Sequence, residues 1–449
     1  MVQTPTRLDR YQSDFQALEQ SQAPDGPPWL AQLRRRAFSR FEELGFPTAR
    51  RGNEKWKYTS VAPIARASFA YALEGGSASV SASQLRSRAP WDDSWVTLVF
   101  VNGRLDEPLS TPLVEADGVH VAGLAQAIAS NGHVVERHLG RYADFEEDAF
   151  AALNTAFIVD GAFVHLSAGA TPSRAVHLVF VSAGGGERPV SYPRTLVVAG
   201  EGARATVVES YLALSDSPYF TDAATEVSLE AGAQVEHYRY LMESPQAYHV
   251  GRTHVYQGAD STFSSTAFMR GAAVARSELH VKLDAPGSSC FLKGLYMTLG
   301  GEHMDNHINV DHLKPHCTSD QYFKGILGGA SRAVYSGRVV VHRDAQKTIA
   351  YQRDHNLILS AGAEVDTKPS LEIYADDVKC GHGATAGAVA HDAVFYLQSR
   401  GLDLPTARRL LIHGFASEVI EGVSLASLRE HLDRVFSASI PDAEFGDAA

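Results

Sequence analysis

Cys380 and His382 stand two residues apart in the run Asp376-Asp377-Val378-Lys379-Cys380-Gly381-His382-Gly383-Ala384-Thr385. If this run is extended, both side chains leave one face, because strand side chains alternate. Thiolate and imidazole suit iron, zinc or copper(I). Cys-x-His offers at most two donors, whereas iron–sulfur clusters and tetrahedral zinc commonly take four, so a complete site needs distant residues or another protein. A buried thiol beside a hydrogen-bonded imidazole is the structural alternative. A second concentration lies upstream, where His303, Asp305, His307, Asn309 and Asp311 alternate with Met304, Asn306, Ile308 and Val310, with His312 and His316-Cys317 following. The alternation puts the first five on one strand face, with same-face neighbours roughly 7 Å apart. Two adjacent side chains could share one ion, but the whole row could not. His303, His307 and His312 are the candidate metal ligands of this stretch, and a polar solvent face is the competing reading.

Common catalytic signatures are missing. There is no Gly-x-x-x-x-Gly-Lys-Ser/Thr phosphate loop, no Gly-x-Ser-x-Gly elbow, no His-Glu-x-x-His zinc helix and no closely spaced pair of Cys-x-x-Cys sequences. Asp376 and Asp377 are sequence neighbours that would point to opposite strand faces, which weakens them as an acid/base pair.

The elements that position these residues change along the chain. Trp29, Leu30, Leu33, Ala37, Phe38, Phe41 and Leu44 recur at three- and four-residue steps before Gly45-Phe46-Pro47, predicting an amphipathic helix. Asn53-Glu54-Lys55-Trp56-Lys57-Tyr58-Thr59 interleaves charges with aromatics, as a docking or packing segment would. From about Trp95 to Tyr374 the texture becomes short β-branched and aromatic runs, such as Glu278–Leu283, where Leu279, Val281 and Leu283 share a face. Turns at Gly200-Glu201-Gly202-Ala203, Ala231-Gly232-Ala233, Gln257-Gly258-Ala259-Asp260 and Ala285-Pro286-Gly287-Ser288 return at roughly thirty-residue spacing. A parallel β-helix accounts for this better than a sandwich, because each coil buries its inward residues against the next. Its open edges would be covered by helical caps or by end-on pairing with another chain. After Ala384 the pattern is helical again, with Pro405 early in a helix, an apolar stripe of Leu410, Leu411, Phe415, Val419 and Ile420, and a last helix after Ser424. The division expected is 1–94 helical, 95–385 β-helix and 386–449 helical.

Composition sets limits on partners. The 449 residues are 45% hydrophobic and 20% charged, ample for a large core. The net charge of -12 argues against general nucleic-acid binding, and Arg34-Arg35-Arg36 reads as a solvated helix face. The first thirty residues lack the apolar stretch of a secretory signal, and no long apolar run follows, so a cytoplasmic protein without a membrane span is expected. Three scattered cysteines, Cys290, Cys317 and Cys380, do not make a disulfide framework.

The run Asp377–Thr385, followed by Phe395-Tyr396-Leu397-Gln398-Ser399-Arg400-Gly401, resembles the signature of the SufB/SufD family of iron–sulfur cluster assembly proteins. The resemblance extends through Gln352-Arg353-Asp354-His355-Asn356-Leu357-Ile358-Leu359-Ser360 and Leu153-Asn154-Thr155-Ala156-Phe157. Phe46-Pro47-Thr48 with Glu54–Thr59 is similar to the N-terminal region of the SufD branch. SufB proteins typically carry His-Glu-Ala-Thr at His382–Thr385 and a cysteine at Leu397, so both departures point to SufD.

The resemblance implies a mainly β protein with a right-handed parallel β-helix between helical regions. It implies a non-catalytic scaffold that pairs with SufB, binds the SufC ATPase through C-terminal helices for which Leu410, Leu411, Phe415 and Val419 are candidates, and supports iron acquisition. A nascent cluster, or iron, would be held transiently at the SufB interface, with His382 and then Cys380 as the candidate ligands from this chain. Reduced flavin is associated with such complexes, and no residue here localises it. A homodimer in isolation remains an alternative assembly. Two further classes stay open at this point: a β-helix enzyme acting on polysaccharide, and a metal-binding interaction protein built on the His303–His312 stretch.

Overall fold

The computed structural model describes residues 7–22, 26–49, 53–71, 80–112, 114–116, 118–184 and 188–441. From Val176 onward, successive long strands alternate between two sheets. One carries Phe220–Leu229, Tyr248–Gln257, Val274–Leu283, His303–His312, Arg332–Val341 and Glu364–Ile373 side by side; we call it the front sheet. The back sheet carries Arg204–Ala213, Gln234–Met242, Thr262–Arg270, Ser289–Thr298, Thr318–Leu327, Ile349–Ile358 and Lys379–Gly387. Every pair among these is parallel and in register: Arg204 lies opposite Gln234 and Gln234 opposite Thr262, while Phe220 lies opposite Tyr248 and Tyr248 opposite Val274. The protein is a parallel β-helix of about 8 turns.

The predicted turn spacing is a column of corner residues. Gly202, Gly232 and Gly287 have φ of 65, 69 and 76°, where a glycine lacks the Cβ penalty. Each donates its N–H one coil onward, to Ala231 O, Ala259 O and Pro315 O. The column continues through Asp260, His316 and Lys347, which adopt the same left-handed conformation (φ 53, 64 and 63°) and bond to Pro286, Gln346 and Asp377. None of the three is glycine, and after Gly287 the repeat fades in the sequence while it persists in the backbone.

Alternate side chains fill the lumen. Val207, Val235, Phe263, Cys290 and Leu292 enter from the back sheet and meet Val227, Val255, Val281, Ile308 and Val339 from the front. Each such apolar side chain contributes about 1.5–3 kcal/mol on full burial. Val281 and Leu283, with Leu279 beside them, occupy the shared inward face predicted for that strand.

The helices cover the outer faces of the sheets rather than the last coil. Pro28–Leu44 is the predicted amphipathic helix, buried through Leu30, Ala37, Phe38 and Phe41 and ended at Gly45 (φ 60°). A preceding helix, Arg7–Gln22, was not anticipated, although Tyr11, Phe15 and Leu18 give it a short apolar stripe; Phe15 stacks on Phe38 at 4.2 Å. Together with Phe150 and Phe157 they rest on Phe220 and Val250 of the front sheet. On the other side Leu404–Ile420 and Ala426–Ser439 lay Ile412, Ala416, Val419, Leu428, Leu432 and Phe436 against the back sheet's outer residues Val208, Tyr240, Phe268, Leu295 and Ile326. Pro405 sits in the first turn of its helix, as expected, behind an Asp403 cap. The opening residues 1–6 and the closing residues 442–449 of the expected helical regions lie outside the described residues. Among the described residues no helix is long and apolar enough to cross a membrane.

Candidate functional site

The two ends of the β-helix differ. At the start, Gly161–Leu166 and Val96–Val101 are flanked by antiparallel Val119–Gly123 and Arg104–Leu105, and their side chains are nearly all buried. At the finish, Glu364–Ile373 and Lys379–Gly387 are the last strands of their sheets, each paired on one side only. No residue of either strand is fully buried. Their free edges present backbone N–H and C=O groups to any strand that can add to them. Pro369 and the charges Glu364, Asp366, Lys368 and Glu372 occupy one edge strand, and small residues the other. Around them Ile373, Tyr374, Phe395 and Tyr396 are exposed, Phe395 by 66% and Tyr374 by 60%.

Cys380 and His382 lie in the inward row of this last coil, opposite Ala350 and Gln352 of the preceding one. Cys380 is half-buried against the lumen core; His382 is exposed because no further coil covers it. Burial pushes the Cys380 thiol up, against a weaker opposing contact with the Ala350 backbone, so it is held as the neutral thiol. Beneath them the lumen turns polar. Gln352 donates to Gln321 Oε1 at 3.4 Å, Tyr335 OH donates to the same oxygen at 2.9 Å, and Asn356 bonds Asp354 at 2.7 Å and Tyr296 at 2.6 Å. Burial raises the Asp354 carboxyl to about 6, with Thr367 and Asn356 opposing. Gln352 Oε1 and Gln321 Nε2 have no partner among the described residues. Asp377 is a corner residue paired with Lys347, away from this row.

A longer polar row deeper in the lumen was missed in the sequence. Glu209 accepts from Thr225 at 2.9 Å, and Arg239 bonds His249 at 2.7 Å, which bonds Glu243 at 2.8 Å. The signal was available: His237 and Arg239 share parity with the inward Val235 and Leu241. The other parity, Glu236, Tyr238 and Tyr240, faces outward and is taken by the C-terminal helical region.

The upstream histidine row has a different fate. His303, Asp305, His307, Asn309 and Asp311 do share the outward face, but the segment Glu54–Thr59 lies on its first part. Thr59 donates to Asp305 and sits 2.8 Å from His303 Nε2. Arg276 pairs with Asp305 and with Glu278 at 2.7 Å, and carries the Trp56 ring 3.9 Å from its guanidinium. Lys55 reaches Asp148 at 2.6 Å and Glu278 at 3.1 Å. Burial alone would raise the Asp305 carboxyl; Arg276, His307 and Thr59 more than offset it and hold it well below the usual carboxylate range. The expected grouping of His303, His307 and His312 is corrected here. His312 points the other way, into the lumen, 2.8 Å from Ser319 Oγ, because its position has the opposite parity. His307 Nε2 lies 3.1 Å from Asp305 Oδ1. Among the described residues no three His, Cys, Asp or Glu side chains form a ready-made metal cage.

Comparison with known proteins bears on what this open coil serves. The family model "SUF system FeS cluster assembly, SufBD core domain" matches residues 180–415, and "SufBD protein N-terminal region" matches residues 6–178. The chain belongs to the SufBD family. It is similar to an iron–sulfur cluster assembly SufBD family protein of Synechocystis, 31% identical over 442 residues and 96% of each chain. Similarity to the iron–sulfur cluster assembly protein SufD of Escherichia coli is 30% over 430 residues, 95% of each chain. The chloroplastic protein ABCI7 of Arabidopsis thaliana is 30% identical over 349 residues, 76% of this chain and 72% of that one. A role in iron–sulfur cluster assembly follows from that membership.

One SufBD-like motif is structural. Asn154, fully buried in the Leu153–Phe157 run, donates to Pro193 O and Asp222 O and accepts from Arg194 at 2.9 Å, tying its helix to the front sheet. Within the C-terminal helix, Leu410 is 52% exposed, Leu411 and Phe415 are half-buried, and Val419 is corrected as a partner contact: it is 1% exposed, packed on the back sheet. Leu404, Leu410, Phe395 and Tyr396 are the exposed apolar side chains of this region.

Proposed function

We propose that this SufBD chain is the SufD-type, non-catalytic scaffold subunit of a Suf complex. It pairs with SufB through the uncovered last coil and binds the SufC ATPase through the exposed side of its C-terminal helices. The observation that carries the reading is that coil: two free strand edges, with His382 exposed in the inward row and no third ligand among the described residues. Pairing of a second β-helix end to end would satisfy the edges, exclude water from the seam and place partner thiolates opposite His382.

Iron or a nascent iron–sulfur cluster is the cargo of such a seam. His382 gives it an imidazole nitrogen ligand. Cys380, held protonated by burial, becomes a ligand only when the incoming metal displaces its proton, so it ranks second. Iron acquisition and any reduced flavin belong to the assembled complex. The parts divide as 1–94 for the helical region whose docking segment clamps the front sheet, 95–385 for the β-helix and 386–449 for the SufC-facing helices. A protein of the cytoplasm, or of an equivalent reducing compartment, suits free Cys290, Cys317 and Cys380.

Co-expression with SufB and SufC tests the assignment. Leu410→Asp is expected to lose SufC while retaining SufB. Loss of neither, or failure of the unsubstituted chain to co-purify with SufB, would overturn it.

A further inference from the structure

Away from the last coil, the outer face of the front sheet carries a second group of histidines. His254 and His280 are register neighbours on adjacent strands, with ring centroids 5.7 Å apart and planes at 60°. Two imidazoles on one tetrahedral ion, with metal–nitrogen bonds of about 2.0–2.1 Å, place their centroids roughly 5–5.5 Å apart. His280 Nε2 is 2.7 Å from Asp311 Oδ2, the carboxylate–imidazole arrangement that orients a metal ligand and leaves Nδ1 for the ion. Neither ring nitrogen of His254 has a hydrogen-bond partner among the described residues.

Both rings line a groove of about 440 Å³, roofed where Tyr142 stacks on Tyr256 at 5.7 Å. Arg141 and Lys282 on its rim are balanced by Asp284 and Asp311.

We infer that His254 and His280, with Asp311 positioning the second, form a site for a borderline divalent transition-metal ion such as Zn²⁺ or Co²⁺. The site supplies two protein nitrogens and leaves the other positions to water, so it is an exchangeable site rather than a structural cage. It is independent of the seam proposed above and lies on another face of the molecule.

The test uses the tag-free full chain carrying His382→Ala, so that the last coil does not contribute. Zn²⁺ titration calorimetry and the visible absorbance of added Co²⁺ are compared before and after His254→Ala, His280→Ala, His280→Gln and Asp311→Asn. Each histidine substitution is expected to remove one equivalent of bound ion and its Co²⁺ absorbance, with unchanged circular dichroism. Asp311→Asn is expected to weaken binding roughly 10–100-fold. His280→Gln keeps the test decisive should an alanine variant misfold, because the His280 side chain is partly exposed. Undiminished stoichiometry in the histidine variants, or no binding by the starting protein, overturns the inference.

Discussion

Two histidine-bearing strands of this β-helix differ in what surrounds them. On His303–His312 the outward polar side chains are met by Thr59, Arg276 and the Trp56 segment, so their hydrogen-bonding capacity goes into holding the N-terminal region to the front sheet. On Lys379–Gly387 His382 stays exposed, with nothing among the described residues covering it. The difference is one of position in the stack. An interior strand has neighbours on both edges and a face available for docking; the last strand has a free edge and an open inward row. Residue type supplies the ligand chemistry, and the missing next coil makes it available.

Substitutions can break this contrast. The largest effect on stability is expected from Asp305→Ala. It leaves the fully buried Arg276 without its main counter-charge, and removing one partner of such a pair costs roughly 3–5 kcal/mol. Urea unfolding should show the loss, and an unchanged midpoint would mean the row is solvated after all. Because its folded carboxyl is depressed, the stabilisation from Asp305 is fully present above the unfolded carboxylate range, near pH 4, and is lost as pH falls below it.

Asp354 has the opposite sign. A carboxyl raised to about 6 contributes stability below pH 4 that is lost as pH rises through 6, on the order of 2–3 kcal/mol. Asp354→Asn should flatten that part of the stability profile between pH 4 and 7, read by urea melts at both ends. A profile that keeps its slope would place Asp354 in water rather than in the lumen.

Smaller again is Thr59→Val, which removes the hydroxyl contacts to Asp305 and His303 and is expected to cost about 1–3 kcal/mol, with easier proteolysis of the N-terminal region as the accompanying readout. Smallest is His382→Ala in the isolated chain: an exposed side chain should change stability by no more than about 0.5 kcal/mol.

Much of the fold was legible because the coil repeat writes itself in small-residue corners and alternating apolar runs. The signal stopped where His316 and Lys347 took the left-handed corners without glycine. For Asn53–Thr59 interleaved charge and aromatic left docking and packing both open, and its target was not legible, since Arg276 and Asp305 lie far along the chain. Cys380 and His382 were legible as a pair, and their shared face holds. His312 was grouped with the wrong face by proximity in sequence, although strand parity already separated it from His303 and His307. The lumen row through Glu209, Arg239 and His249 was marked in the sequence only by the parity of His237 and Arg239 with Val235 and Leu241, while the helices on the back sheet take the other parity.

Anaerobic cluster reconstitution on the co-purified complex with SufB and SufC, comparing the unsubstituted chain with His382→Ala, tests the central claim directly. The account predicts an intact complex whose bound iron and sulfide fall sharply in the variant, while His303→Ala loads normally. Normal loading in His382→Ala would contradict it and leave the open coil as a pairing surface alone.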